Sequence, residues 1–192
     1  MFVIQYIGEE TLNLKEKNMR NILGDDMNQN NIICFYHENE AFGCFSNWYM
    51  IKFEYAGKTY NSVEQYMMYQ KAVTFRDYDV AKDIMETDDV AEIKALGRKV
   101  KNYSDVIWNG MRQIVIYQGL FAKFQQNAIL KQQLLETGDS IIAECAVRDT
   151  IWGIGLSMKD TKRFDINEWQ GTNLLGFALM AVRKELKNTQ EL

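Results

Sequence analysis

The chain has 192 residues, 47% of them apolar and 25% charged, which is typical of a globular protein of one domain. Its formal net charge of −4 argues against a protein that coats duplex DNA, although it leaves room for a local contact with nucleic acid. The three scattered cysteines, Cys34, Cys44 and Cys145, are too few for a disulfide framework or a zinc site, which favours a reduced, cytoplasmic setting.

The N-terminal segment predicts neither a signal peptide nor a membrane anchor. It lacks a basic start, and no apolar stretch in the chain approaches the length that crosses a bilayer. Residues 24–31 are polar and show no apolar periodicity, which marks a boundary. We therefore expect an N-terminal extension over residues 1–31, a domain over residues 32–187 and a tail over residues 188–192.

The first part of the predicted domain carries the signals of strands. Residues 32–36 form an apolar run that predicts a buried strand, and residues 37–47 predict a loop. Residues 49–55 alternate between two faces, which is typical of a half-buried strand. The turn at residues 56–58 then predicts a hairpin that continues into Thr59 and Tyr60.

Beyond residue 61 the pattern is mainly helical until a β-like segment at residues 140–146, and residues 174–187 predict a final amphipathic helix. Strands that come early and helices that come later favour an α+β fold over a parallel wound sheet. We expect a mainly helical domain with a small antiparallel sheet. Candidate capping residues recur: Ser62 with Gln65 in an S-x-x-Q box, Asp88 or Asp89, Ser104, and Gly138 at a C′ position.

The stretch SVEQYMMYQKA, residues 62–72, places two charges in an apolar helix. Glu64 and Lys71 are seven residues apart, so they share one face with about 10 Å between their Cα atoms along the axis. Apolar surroundings disfavour the charged form of Lys71, which would make its neutral amine available as a nucleophile. The alternative is structural: a carboxylate in a capping turn and a lysine whose head reaches water.

Two loops carry candidate binding residues. In FGCFSNW, residues 42–48, aromatic rings flank Ser46 and Asn47, which suits a grip on a base or sugar, although a turn that fills the core with Phe45 is an equal alternative. In ECAVRDTIWGIG, residues 144–155, the alternative is a surface turn with a core tryptophan. The candidates there are Glu144, Arg148, Asp149, Trp152 and Gly153.

Two further stretches have simpler interpretations. A helix start with Gly171, Thr172 and Asn173 presents N–H groups that can receive a phosphate, but plain capping by Thr172 is favoured. The basic run at residues 94–101 is expected to be a solvated helix end. His37 is the single histidine of the chain, and nothing near it in sequence supports a catalytic triad.

Taken together, these stretches resemble the NADAR family, the NAD- and ADP-ribose-associated proteins that include YbiA-like N-glycosidases. The resemblance covers about residues 32–187. It is carried by F-x-x-F-S-N at 42–47, G-K-x-Y-x-S-V-E-Q-Y-M at 57–67, Lys71-Ala72, L-G-R at 96–98, Trp108, A-K-F at 122–124, L-L-x-T-G-D at 134–139, Glu144, Asp149, I-W-G-I-G at 151–155 and W-x-G-x-N-L-L-G at 169–176.

The resemblance implies an α+β domain that hydrolyses N-glycosidic bonds without a cofactor or metal. Similar proteins act on ADP-ribose attached to guanine in DNA or RNA, and YbiA-like members cleave ribosylamino-pyrimidine phosphates of early riboflavin synthesis. The functional residues of the family fall on Glu64, Lys71, Asp149 and Trp152. Some YbiA-like members have histidine where this chain has Gln65, a departure that favours the ADP-ribosyl substrate.

Two catalytic routes follow as hypotheses. Lys71 forms a Schiff base with the ribose C1 while Glu64 or Asp149 moves protons, or a carboxylate activates water directly. Trp152 and Asn47 are expected to hold the sugar or base. Arg148 and the helix start at Gly171–Asn173 are expected to contact phosphate.

Two functions of other classes remain as alternatives. A module that binds ADP-ribose or NAD-like ligands without turnover would not require both a base and an amine, so the presence of Glu64, Lys71 and Asp149 favours an enzyme. An antitoxin that grips a toxin partner is the third alternative.

Overall fold

A computed structural model describes residues 31–189. Residues 1–30 of the predicted extension and residues 190–192 of the predicted tail lie outside the described residues, whereas Asn188 belongs to the last helix. The described part is mainly helical, with two small sheets, as the α+β prediction expected. None of its helices has both the length and the apolar character needed to cross a bilayer.

Four short strands and six α-helices form the described part of the chain. The strands are β1 (Ile32–Phe35), β2 (Phe53–Tyr55), β3 (Lys58–Tyr60) and β4 (Ile141–Glu144). The helices are α1 (Val63–Thr74), α2 (Tyr78–Glu86), α3 (Val90–Arg98), α4 (Asp105–Gln126), α5 (Ala128–Glu136) and α6 (Leu174–Asn188), with short 3-10 helices at Gly43–Phe45, Thr161–Phe164 and Ile166–Glu168.

The β2–β3 hairpin is the predicted antiparallel sheet. Its two-residue turn places Ala56 and Gly57 at φ 51° and 74°, the positive values that a tight hairpin turn needs. Strand β2 begins at Phe53 and is shorter than the strand predicted from the alternation over residues 49–55. The N–H of Ile51 still donates to the carbonyl of Asn61, but outside the β2–β3 ladder. The second sheet pairs β1 with β4 in parallel, from Ile32 beside Ile141 to Phe35 beside Glu144.

Side-chain caps start the helices where the sequence predicted them. Ser62 Oγ accepts a hydrogen bond from the N–H of Gln65, while Gln65 Oε1 accepts one from Asn61. Asp89, and not Asp88, caps α3, since its Oδ1 accepts from Ala91 and Glu92. Ser104 caps α4, and Gly138 follows α5 with φ 56°.

Helix α1 lies at the centre of the domain, packed against α2, α3 and α4, while α6 packs against α4 and β4. Residues from Val63 to Met68 are all buried, so the first turns of α1 have no solvent face. Gly97 of α3 lies directly against Met68, and a Cβ there would overlap the methionine sulfur. This close approach brings the backbone of α3 within reach of Lys71.

Candidate active site

Glu64 is the second residue of α1 and is 2% exposed. Its backbone N–H donates to the carbonyl of Asn47, yet its Oε1 is buried with no hydrogen-bond partner among the described residues. Burial raises the pKa of Glu64 to about 7. The charge of Asp149 raises this pKa further, whereas Lys94 and, more weakly, Arg98 and Lys71 lower it. A carboxyl group with such a pKa can both give and take a proton at neutral pH.

Lys71 lies two turns further along α1, half-buried. Its Nζ donates to the carbonyl of Gly97 at 2.8 Å and lies 4.3 Å from the centroid of the Tyr103 ring. Burial lowers the pKa of Lys71, while Asp105 and Glu64 raise it in part. The surroundings therefore move this lysine toward the neutral amine, in line with the sequence argument.

Asp149 and Glu144 bring further carboxyl groups toward Glu64. Asp149 Oδ1 accepts hydrogen bonds from the backbone of Ile151 at 3.1 Å and Trp152 at 2.9 Å, which orders the turn. Burial raises the pKa of Glu144 at the end of β4 to about 8, and Asp149 raises it too, while Lys94 lowers it. Although Glu144 is partly exposed as a residue, its Oε2 is buried with no hydrogen-bond partner among residues 31–189.

The loop before β2 supplies Asn47, whose Oδ1 is likewise buried without a partner in the described part of the chain. Three buried acceptor oxygens, on Asn47, Glu64 and Glu144, are thus left unpaired. A buried acceptor without a donor is costly, and such groups are rare unless a ligand or water supplies the donor. The hydroxyls and exocyclic amine of a ribosylated base are donors of that kind.

Lys123 orders this loop from behind and is a residue that the sequence argument did not single out. Its side chain is fully buried on α4, and its Nζ donates to the carbonyls of Cys44 at 2.6 Å and Ser46 at 3.2 Å. Burial lowers the pKa of Lys123 to about 7. Neighbouring Phe45 is fully buried against Phe35 and Phe124, so it serves the core side of the loop.

The basic run of α3 corrects another expectation. It was expected to be a solvated helix end, and Arg98, Lys99 and Lys101 are indeed exposed. Lys94 differs, because it is half-buried, 5.5 Å from the centroid of the Trp48 ring, and is the strongest cationic influence on the pKa of Glu64. Arg98 follows one turn later and acts on both Glu64 and Lys71. The i, i+4 spacing of Lys94 and Arg98 was visible in the sequence, but the face of α3 that meets α1 was not.

The predicted helix start at Gly171–Asn173 makes its contacts within the fold, since the N–H groups of Thr172 and Asn173 donate to the carbonyls of Thr150 and Gly153. Asn173 is fully buried, and its amide accepts from the Glu144 N–H and donates to the Ile142 carbonyl, which fastens the start of α6 to β4. Thr172 does not cap α6, because its hydroxyl donates to the Ile151 carbonyl. Gly171 meets the carbonyl of Gly153 so closely that a Cβ would not fit.

Trp108 is buried in the first turn of α4, Trp152 is half-buried and Arg148 is exposed. Gln65 faces away from the group, since its amide bonds only to the backbone of Asn61, Ile84 and Thr87. The identity of residue 65 therefore favours neither the ADP-ribosyl nor the ribosylamino substrate. Within residues 31–189, no three His, Cys, Asp or Glu side chains are grouped so as to hold a metal ion.

The chain is similar to several known proteins. An N-glycosidase of Acanthamoeba polyphaga mimivirus is 42% identical over 146 residues, 73% of this chain and 86% of that protein. The NMR structure of YbiA from Escherichia coli superposes with a TM-score of 0.71 at 27% identity, over 88% of this chain and 93% of that one.

A riboflavin biosynthesis protein of Vibrio vulnificus is 31% identical over 155 residues, 81% of this chain but only 38% of that protein. The model of the NADAR domain matches residues 34–187, which include every residue of the site described above. The chain therefore belongs to the NADAR family.

Proposed function

We propose that this protein is an N-glycosidase that removes ADP-ribose from guanine in nucleic acid. Cleavage of N-glycosyl bonds is the activity that the names of its relatives carry. The observation that carries the proposal is Glu64, a buried carboxyl with an unpaired oxygen and a pKa of about 7 on the same helix as Lys71. That pair supplies both a proton carrier and a nucleophile.

Breaking the bond between ribose C1 and the guanine nitrogen develops positive charge on C1 and the ring oxygen. In the first route, protonated Glu64 gives its proton to the ring oxygen, the ring opens, and C1 becomes an iminium with the guanine nitrogen. The neutral amine of Lys71 adds to C1, and a proton moves to the guanine nitrogen, which departs as the free base. Water then adds to C1, and ADP-ribose leaves with Lys71 restored.

In the second route, ionised Glu64 or Asp149 activates water for direct attack on C1, and Lys71 acts only through its charge. Both routes consume one water and return the same products. Asp149 also orders the turn that carries Trp152, so its removal would disturb the site in either route.

The cations of α3 support a phosphorylated substrate. Lys94 and Arg98 stand one turn apart beside Glu64, an arrangement that suits the two charges of a diphosphate. We propose them as phosphate contacts together with Arg148. The Gly171–Asn173 helix start is no longer a candidate, because its N–H groups at residues 172–173 donate to carbonyls of residues 150–153.

A second candidate is hydrolysis of the ribosylamino-pyrimidine phosphates of riboflavin synthesis, favoured by the name of the Vibrio vulnificus relative. The two candidates are separated by incubating the full chain with an oligonucleotide ADP-ribosylated on guanine and, separately, with the ribosylamines. Mass spectrometry follows the released sugar phosphate. Turnover of the ribosylamines alone would overturn the proposal in favour of the second candidate.

Two further outcomes point to other classes of function. Tight binding of ADP-ribose without turnover of either substrate would indicate a binding module. Copurification with a toxin partner that survives Glu64→Ala would indicate an antitoxin.

The two catalytic routes are separated by borohydride trapping. Reduction during turnover should add the mass of a reduced ADP-ribosyl adduct to the peptide that contains Lys71, and Lys71→Met should abolish the adduct. Lys82→Met is the control, because that lysine is exposed on α2 and pairs only loosely with Glu86 at 3.6 Å. Turnover without an adduct on Lys71 would favour direct attack by water.

A further inference from the structure

A groove opens at the N-terminal end of α3, beside the candidate site. Its volume is about 480 Å³. The walls combine flat and apolar side chains with two carboxylates. Its defining residues are Trp48, Tyr49 and Met50 from the loop before β2, Glu38 from the preceding loop, and Asp89 and Ala91 at the start of α3. We refer to it as the Trp48 groove.

The chemistry of the Trp48 groove selects against phosphate. Glu38 and Asp89 repel an anion, and no lysine, arginine or histidine is among the residues that line the groove. An indole and a phenol ring offer stacking faces, while carboxylates accept hydrogen bonds from amino groups. The groove therefore fits a flat, uncharged ring that carries an exocyclic amine.

The position of the groove relative to Lys71 decides which ring that is. Lys71 Nζ bonds to the carbonyl of Gly97, six residues beyond Ala91, so about 9 Å of helix axis separates the groove from the reacting amine. A base bonded directly to the reacting C1 must stay beside Lys71. The ring in the groove must therefore belong to the far end of the substrate.

Of the two cations on this face of α3, Lys94 lies between the groove and Gly97, and Arg98 lies one residue beyond Gly97. Ala91, Lys94 and Arg98 are spaced three and four residues apart and so lie along one side of the helix. Lys94 Nζ also lies 5.5 Å from the centroid of the Trp48 ring, which leaves the other face of the indole for a ligand ring. Along α3, the groove at Ala91 is thus followed by Lys94, then by Gly97 beside Lys71 of α1, and then by Arg98.

We propose that the Trp48 groove binds the adenine ring of an ADP-ribosyl group, with the diphosphate along Lys94 and Arg98 and the reacting ribose at Glu64 and Lys71. The inference rests on the proposed function, because it needs a substrate with a distant adenine. It assigns to the groove the preference for an ADP-ribosyl group over a shorter phosphoribosyl group.

The test compares two substrates on the full chain. One is an oligonucleotide ADP-ribosylated on guanine. The other is the same oligonucleotide after an ADP-ribose pyrophosphatase has hydrolysed the diphosphate, which releases AMP and leaves a phosphoribosyl group. Stacking of one ring predicts that the unaltered protein prefers the first substrate by about tenfold in kcat/KM. Ala91→Trp fills the groove and should bring that ratio close to one, mainly through KM.

Glu38→Gln should lower the same ratio by a smaller factor, because it removes one acceptor and leaves the rings. Ala181→Trp is the matched control, an exposed alanine on α6 outside the groove, and should leave the ratio unchanged. Thermal unfolding of each variant shows that the fold is kept. Equal rates on both substrates, or an equal loss on both in Ala91→Trp, would overturn the inference while the proposed function stands.

If the protein cleaves neither substrate, the proposed function is wrong, and the groove is then tested by calorimetric titration with AMP. Binding of AMP that is weakened by Ala91→Trp but not by Ala181→Trp would still assign adenine to the groove. Absence of AMP binding would overturn the assignment independently of catalysis.

Discussion

Glu64 and Lys123 are both buried ionisable side chains, but the fold treats them differently. Lys123 Nζ donates to the carbonyls of Cys44 and Ser46, whereas one oxygen of Glu64 has no partner in the described part of the chain. Burial brings the pKa of each to about 7 from opposite directions. A shifted pKa is therefore common to both, and the unpaired acceptor distinguishes Glu64, the residue proposed to face the substrate.

The largest expected effect is that of Glu64→Gln on turnover. Loss of the proton carrier should lower kcat by about a thousandfold, measured on the ADP-ribosylated oligonucleotide. The free energy of unfolding should stay the same or rise, since no hydrogen bond of Oε1 is lost. A drop in stability comparable to that in activity would instead assign Glu64 a structural role.

For Lys123→Met we expect the main effect on the free energy of unfolding and not on turnover. The change removes the Nζ donor from the carbonyls of Cys44 and Ser46, although the Ser46 carbonyl keeps the N–H of Tyr49. The loss should cost about 2–4 kcal/mol of unfolding free energy in urea titrations. Lys82→Met, on the exposed face of α2, is the control and should change stability by less than about 0.5 kcal/mol. Unchanged stability in Lys123→Met would contradict the role given to this residue.

The pH dependence of stability separates the two residues further. Because the folded state raises the pKa of Glu64 from 4.5 to about 7, its contribution is favourable at low pH and is lost as pH rises from 4.5 to 7. Lys123 has a folded pKa of about 7 and an unfolded one near 10.5, so the unfolded state binds more protons and stability rises between these values.

Thermal unfolding midpoints across pH measure both effects. The advantage of Glu64→Gln over the unaltered protein should grow from pH 5 to 7, and the deficit of Lys123→Met should grow above pH 7. Curves that run parallel at all pH values would contradict these assignments.

The smallest expected effect concerns Lys94, which acts on Glu64 from α3 and lies over the Trp48 ring. Lys94→Met removes the main cation that lowers the pKa of Glu64, so that pKa should rise, by up to about one unit. The midpoint of the pH–rate profile that reports Glu64 should move upward by the same amount. A profile that does not move would mean that Lys94 acts only on substrate phosphate.

Local features were predictable because they depend on neighbours in the chain. The hairpin turn, the Ser62 and Ser104 caps and the shared face of Glu64 and Lys71 all follow from spacings of a few residues. The resemblance to the NADAR family also came from ordered motifs. Lys94 was misjudged because its charge pattern is the same whether the helix face meets water or Glu64.

The sequence by itself determined the family, the helical character of the chain beyond residue 61 and the apolar setting of α1, since composition and period carry that information. Only the tertiary structure decided that β1 and β4 pair in parallel and that Lys123 reaches the Cys44–Ser46 loop. It also decided that Glu64 keeps an unpaired oxygen. These features depend on which distant segments meet and on whether a buried polar atom has a hydrogen-bond partner. Local periodicity predicts neither.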